Sequence, residues 1–399
     1  MSYGRSILSL WPLDPAATYL NHGTVGVVPR QVLEAQQRWR DRIERHPSRF
    51  MLRELWSFSG ASTGAGAEAG GPTLMRQAAA EVADFVGAGP SDLVFVDNTT
   101  TGVNAVVRSL PLAPGGEIVI TDHAYGGIVT AVRHAAKRHG ATVTVVQIPY
   151  PAFDADEAVR RIQSALSART RLVITDHIVS ETALIFPVEA IVRACHARHV
   201  PVLIDGAHVP GALDLNVSAI GADFYVANLH KWAMAPRSCA FLAVAPAFQA
   251  VMHPPVISWG YGTGYTQEFD WVGTRDPTPW LSAPDGIRFL QGLGFDELRR
   301  HNHDLAWRAA KYLTDTWQTP LEIDESMVGC MVTVMTPESC GTDKPAAVRL
   351  RDRLLNEHNI EVHAHARAGR VWVRVSAQAY NDDSDIEKLA GAVLGESQK

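Results

Sequence analysis

With 399 residues, 46% of them apolar and only 20% charged, the chain is long enough for two domains, or for one large domain with a smaller companion around a sizeable core. A net charge of −6 and a pI near 6.2 argue against a nucleic-acid or anionic-membrane partner. No apolar run approaches bilayer length, the N-terminus lacks a leader pattern, and Cys195, Cys239, Cys330 and Cys340 show no CxxC spacing, so a soluble cytoplasmic protein with reduced thiols is expected.

Residues 57–71, rich in Gly, Ala and Ser, offer nothing large to bury and are expected to form a flexible or disordered loop. Residues 73–86 follow as a helix with Leu74, Ala78, Val82 and Phe85 on one face. Short β-branched runs then come at 93–97, 117–121, 142–147, 171–175, 201–205 and 224–227, separated by helix-length segments such as 128–139, 156–167 and 188–199. Near-continuously apolar strands alternating with helices predict an α/β fold with a mostly parallel sheet covered on both faces. After about residue 290 the pattern changes to a helix (295–317), strands (331–335, 371–375) and two amphipathic helices (346–358, 383–394), read as a smaller α+β domain joined by the first twenty or so residues.

In such sheets ligands gather beyond the carboxyl ends of the strands. Five polar clusters sit just after strands: 98–101, 122–125, 177–180, 205–208 and 228–231. The last holds the most telling residue. Lys231 is the only formally charged residue between Asp223 and Arg237, in a run that reads as core. A lysine placed there loses hydration and basicity and can form a Schiff base, for which pyridoxal phosphate (PLP) is the commonest partner. Asp205, ending an apolar strand, can pair with a protonated pyridine nitrogen. Read singly, Lys231 is an ordinary solvated lysine and Asp205 caps a turn; read together with a phosphate site, they predict PLP.

The phosphate site is sought at Asn98–Gly102, where Thr99, Thr100 and Thr101 open a helix; threonines there also serve as plain N-caps. His123 and Tyr125 are alternative rings to stack on the cofactor, or half-buried strand-end aromatics. Arg374, in the middle of strand 371–375, suits a substrate carboxylate, the competing readings being an internal salt bridge or an edge-strand arginine. Gly260–Gly264 lacks the dinucleotide-loop spacing and opens no evident helix. His363 and His365 share a strand face without an acid or cysteine to complete a metal site, and are expected to be surface histidines.

The segments YLNHGTVGVVP (19–29), HPSRF (46–50), NTTTGVN (98–104), TDHAYGG (121–127), DHIVSETALIFPV (176–188), DGAHVPG (205–211), NLHKWAMAP (228–236), VGTRDPTPW (272–280) and VWVRVSAQAYN (371–381) together resemble the class V aminotransferase family of fold-type I PLP enzymes, and within it the isopenicillin N epimerase-like branch. That branch also holds ergothioneine-pathway C–S lyases, with cysteine desulfurases more distant. The resemblance implies a seven-stranded sheet in a large domain (22–290) and a small domain (1–21 and 291–399). By the same resemblance Lys231 would carry the Schiff base and Asp205 face the pyridine nitrogen. Thr99, Thr100, Asn228 and His230 would hold the phosphate, while His208 and Ser180 lie on the ring-oxygen side. Counting back from Gly140 favours Tyr125 over His123 as the stacker. Arg374 would bind the α-carboxylate, with Asn21, His22 and Gly23 lining the substrate side. Thr274 would reach the phosphate of a neighbouring subunit, implying a homodimer.

Two departures stand out. The interval 361–370 has histidines and no cysteine, against persulfide chemistry, and the 57–71 loop is more glycine-rich than the branch suggests. The expected chemistry is removal of an amino acid's α-proton, with Lys231 as base. Epimerisation is placed first, with C–S β-lysis and transamination as alternatives, and a fold-retaining binding protein as the reading from another class.

Overall fold

The computed structural model describes residues 2–59, 62–63 and 70–397. Its strands are β1 (Thr18–Tyr19), β2 (Leu93–Val96), β3 (Glu117–Thr121), β4 (Thr142–Val146), β5 (Thr170–Asp176), β6 (Val202–Asp205), β7 (Phe224–Asn228), β8 (Ala240–Val244), β9 (Met331–Met335), β10 (Ile360–Glu361), β11 (His363–Arg367) and β12 (Arg370–Ser376). Seven of them form one sheet in the order β2-β8-β7-β6-β5-β3-β4, in which β8 alone runs antiparallel to its neighbours. The α/β reading with a mostly parallel sheet is therefore correct. β8 is the strand that the pattern reading passed over; it follows β7 at once, with no crossover helix to mark it.

Side chains along these strands alternate between two apolar layers. Val94, Ile120, Ile174, Leu203, Val226 and Leu242 join one cluster, and Phe95, Val119, Val173, Ile204, Ala227 and Phe241 the other. Both faces are thus dry, and each fully buried Val, Leu, Ile or Phe contributes roughly 1.5–3 kcal/mol. That is why the strands read as continuously apolar rather than alternating.

The C-terminal third builds a three-stranded antiparallel sheet, β11-β12-β9, with its own apolar cluster under the helices Phe295–Trp317, Lys344–His358 and Asp383–Ser397. The N-terminal segment returns to it: β1 pairs with β10 in parallel, and Asn21 bridges to Ser376. Several side-chain bonds fasten the small sheet to the strand-end loops of the large one. Thr333 Oγ1 donates to the Glu181 carbonyl (2.9 Å), and Arg367 pairs with Asp122 at 2.6 Å.

Of residues 57–71, positions 60, 61 and 64–69 lie outside the described residues. The flanks meet, with Ser62 N–H donating to the Gly71 carbonyl (2.8 Å). Contrary to expectation, a short helix, Tyr265–Asp270, does follow Gly264. No helix among the described residues is long and apolar enough to cross a membrane.

Candidate active site

All five strand-end clusters reach one cavity of about 690 Å³, whose lining also takes Gly23 and Thr24 from the N-terminal segment, His363 from β11 and Arg374 from β12. Lys231 enters from the turn after β7, which is closed by Ala235 N–H donating to the Leu229 carbonyl (3.1 Å). Its side chain is buried, and Nζ donates to His208 Nε2 at 3.1 Å. Burial pulls the amine down to about pKa 7; Arg374 adds to the fall and Asp205 opposes it. His208 is held neutral by its own burial and by Lys231, and its Nδ1 has no protein partner among the described residues.

Asp205 ends β6, where its carboxylate accepts the Ala207 N–H at 3.0 Å. Burial lifts it to about pKa 6 against that bond and the Lys231 charge. Asp176, its register partner at the end of β5, is also buried and lines the cavity; burial and the Asp205 charge raise it well above the carboxylate range. Two adjacent buried carboxylates resist double ionisation, so Asp176 keeps the proton and Asp205 carries the charge.

The helix Thr99–Ser109 points its N-terminus into the same space. Asn98 caps it, accepting from Thr101 N–H (2.9 Å), and Asn228 Oδ1 accepts from Thr99 N–H (3.1 Å). Close approach to β7 depends on Gly102, where a Cβ would fall 2.4 Å from Val226 Cγ2. His230 donates from Nδ1 to the Cys239 carbonyl (2.9 Å) and lines the cavity.

Of the two candidate stacking rings, Tyr125 lines the cavity and His123 does not. His123 is buried behind it, its ring nitrogens bonded to Thr182 Oγ1 and the Ile148 carbonyl, both at 3.2 Å. The assignment of His123 to the cofactor is corrected accordingly. His22 is corrected too. It is buried against Trp232, donates to the Lys231 carbonyl (3.0 Å) and accepts from Tyr380 Oη (2.9 Å), which supports the lysine turn from behind rather than lining the substrate space. Asn21 reaches the site through Arg374, and Thr24 both lines the cavity and bonds Arg374.

Arg374 occupies the central strand of the small sheet and is 2% exposed. Its guanidinium donates to the Ser180 carbonyl, to Thr24 Oγ1 (2.9 Å) and to Asn21 Oδ1 (3.4 Å), and no carboxylate among the described residues pairs with it. Neither the internal salt bridge nor the edge-strand reading holds. Burial lowers its pKa to about 10, leaving it cationic at neutral pH. Thr274 is exposed and does not line this cavity.

The expectation of surface histidines at 363 and 365 fails. His363 lines the cavity and His365 is buried behind it, their rings stacked at 5.5 Å. A period-two pattern places both on one strand face but does not say that the face turns inward. Sequence reading also passed over Thr24 and Asp176, although both lie in segments that carry the resemblance.

The aminotransferase class-V family profile matches residues 59–389. A probable chloroplastic L-cysteine desulfhydrase of Arabidopsis thaliana is 32% identical, over 96% of this chain and 83% of that protein. Isopenicillin N epimerase of Streptomyces clavuligerus is also 32% identical, over 96% and 95%. The apo cysteine desulfurase of Thermococcus onnurineus NA1 superposes with a TM-score of 0.77, at 20% identity, over 100% and 99% of the two chains. The chain belongs to the class V aminotransferase family.

Pyridoxal phosphate is the cofactor of class V aminotransferases, and this member's cavity fits it. An amine held near neutrality, a buried carboxylate at a strand end and a helix N-terminus that brings Thr99, Thr100 and Thr101 to the cavity answer its aldehyde, pyridine nitrogen and phosphate in turn. His208 Nδ1, buried and unpaired, is a further group awaiting a ligand.

Proposed function

We propose that this class V enzyme removes the α-proton of an amino acid carrying a free α-carboxylate, and that the outcome is epimerisation or racemisation at Cα. The observation that carries this reading is the Lys231 amine, buried, brought to about pKa 7 and bonded to a neutral His208. A base with that pKa is half unprotonated at neutral pH and still strong enough to take the proton.

The bound cofactor supplies an electron sink for the pair left at Cα. Asp205 would hold the pyridine nitrogen, Tyr125 would cover one ring face, and Ser180 and His208 would serve the ring-oxygen side. Thr99, Thr100, Asn228 and His230 would hold the phosphate. Arg374, steadied by Thr24 and Asn21, binds the carboxylate and so orients the α-proton toward Lys231. We further propose a homodimer in which Thr274 serves the neighbour's phosphate. In support, Val256, Ile257, Trp259 and Tyr261 form an apolar surface more than half exposed, in the stretch just before exposed Thr274. The partition into 22–290 and 1–21 with 291–399 is proposed on the small sheet's separate cluster and the β1–β10 pairing.

A second reading, β-elimination of sulfur, is favoured by the desulfhydrase relative, as similar to this chain as the epimerase. Persulfide chemistry is disfavoured: Cys330, near Arg374, is buried and its thiol is pushed up by that burial. Proton NMR with L-amino acids and cysteine S-conjugates in deuterated water tests the proposal. Loss of the α-proton signal is expected, with the mirror-image amino acid appearing on chiral chromatography of the same mixture. Pyruvate from a sulfur-bearing substrate would transfer the assignment to C–S lysis, and no α-proton exchange with any of them would overturn both.

A further inference from the structure

We infer that His363 is a second proton-handling residue of the site, giving its proton to the substrate from the wall formed by the small sheet. The inference rests on the α-proton chemistry proposed above and adds a residue to it.

Four other histidines at or behind the cavity are tied to the protein through at least one ring nitrogen. His22 and His123 are bonded through both nitrogens, His208 holds Lys231, and His230 holds the Cys239 carbonyl. Two cavity-lining histidines keep a buried ring nitrogen with no protein partner among the described residues, His208 through Nδ1 and His363 through Nε2, and of the two only His208 is tied to Lys231. A buried polar atom left unpaired at a ligand cavity calls for a ligand partner. The place of His363 fits the substrate, because on the paired strands β11 and β12 it lies in register with Arg374, the carboxylate-binding residue. His365 stacks on the ring from behind, and neither of its nitrogens is bonded.

The surroundings keep both rings neutral until substrate arrives. Burial acts on each; Arg374 and Arg351 add to it at His363, and His363, Arg374 and Arg367 at His365. Lys231 and His208 share the cavity. A carboxylate bound to Arg374 would set a negative charge against one of these cations and so favour the protonated form of His363, although burial remains the larger influence on the ring. The protons then balance. Lys231 takes the α-proton and becomes an ammonium, and the His363 imidazolium gives its proton to Cα. Lys231 afterwards releases its proton to water while His363 takes one up.

The test compares the holoenzyme with His363→Gln, which keeps hydrogen bonding but transfers no proton. Expected for H363Q are an unchanged cofactor absorption band, affinity for an unreactive carboxylate ligand within about twofold, and α-proton exchange within about threefold of the parent. Formation of the mirror-image product should fall by at least about 100-fold. An unchanged ratio of exchange to product would overturn the role of His363 and leave the α-proton reading standing; absence of exchange in the parent would overturn both. A second measurement needs no variant. Early in reaction in deuterated water, the parent's product enantiomer should carry solvent deuterium while residual substrate keeps its proton, and transfer of the original proton into the product would defeat the proposal.

Discussion

Lys231 and Asp205 bend the pH dependence of stability in opposite ways. In the folded, cofactor-free protein Lys231 keeps its proton only below about pH 7, whereas its ordinary pKa is 10.5. Between those values the unfolded chain binds more protons, so stability rises with pH. Asp205 has a folded pKa of about 6 against an ordinary 3.8, so the folded state holds the extra proton in that window and stability falls as pH rises through it. The histidines held neutral by burial and the raised Asp176 titrate in the same range, so the Lys231 share is read against a variant: the parent's urea midpoint minus that of Lys231→Met is expected to climb from pH 7 toward pH 9.5, by the equivalent of a few kcal/mol at roughly 1.4 kcal/mol per pKa unit. A parallel climb in the variant, leaving that difference flat, would place the titrating group elsewhere. Lys231→Ala should reduce turnover by more than about 10³-fold while the fold persists, since the base is lost and no other amine lines the cavity. These two residues were legible because a charge inside an apolar run, or at the end of one, contradicts its local pattern. His363 and Asp176 were not, because their burial is decided by packing between two sheets far apart in sequence.

At the level of elements, the site depends on how closely helix Thr99–Ser109 lies on β7. Gly102→Ala would set a methyl 2.4 Å from Val226 Cγ2, so the helix must lift or the valine must move, at about 1–3 kcal/mol. We expect a lower Tm and weaker PLP affinity, with Val226→Ala in the same chain restoring much of both. Absence of any rescue would show that the clash is not the cause. In the small sheet, Arg374→Ala should raise KM about 10- to 100-fold with a smaller effect on kcat, as expected for a lost charged hydrogen bond, while Arg374→Lys should recover little because the fork geometry goes with the guanidinium. Initial rates across substrate concentration decide it. The main strands and helices could be read from periodicity, because two dry faces demand continuous apolar runs. β8 could not: its antiparallel return leaves no crossover helix as a marker, and only pairing with β2 and β7 defines it.

The whole molecule raises the question of whether one chain is a complete enzyme. Within the chain, the proposed phosphate site consists of a helix N-terminus, neutral side chains and His230, itself held neutral by burial with a pKa of about 4. A dianion so placed gains from another donor, and the proposed dimer brings it as Thr274. If that donor acts across a two-fold interface, defects in Lys231 and Thr274 must complement one another. In a hybrid of Lys231→Ala and Thr274→Glu chains, one site collects both defects and the other has neither. Random mixing makes about half the dimers hybrids, each with one intact site of two, so activity should return to about a quarter of the parent level although neither variant alone turns over. If Thr274 served its own chain, every hybrid site would carry one defect and mixing would restore nothing. Sedimentation of the mixture at assay concentration shows whether dimers are present to exchange, and a monomer with full activity would remove Thr274 from the site altogether.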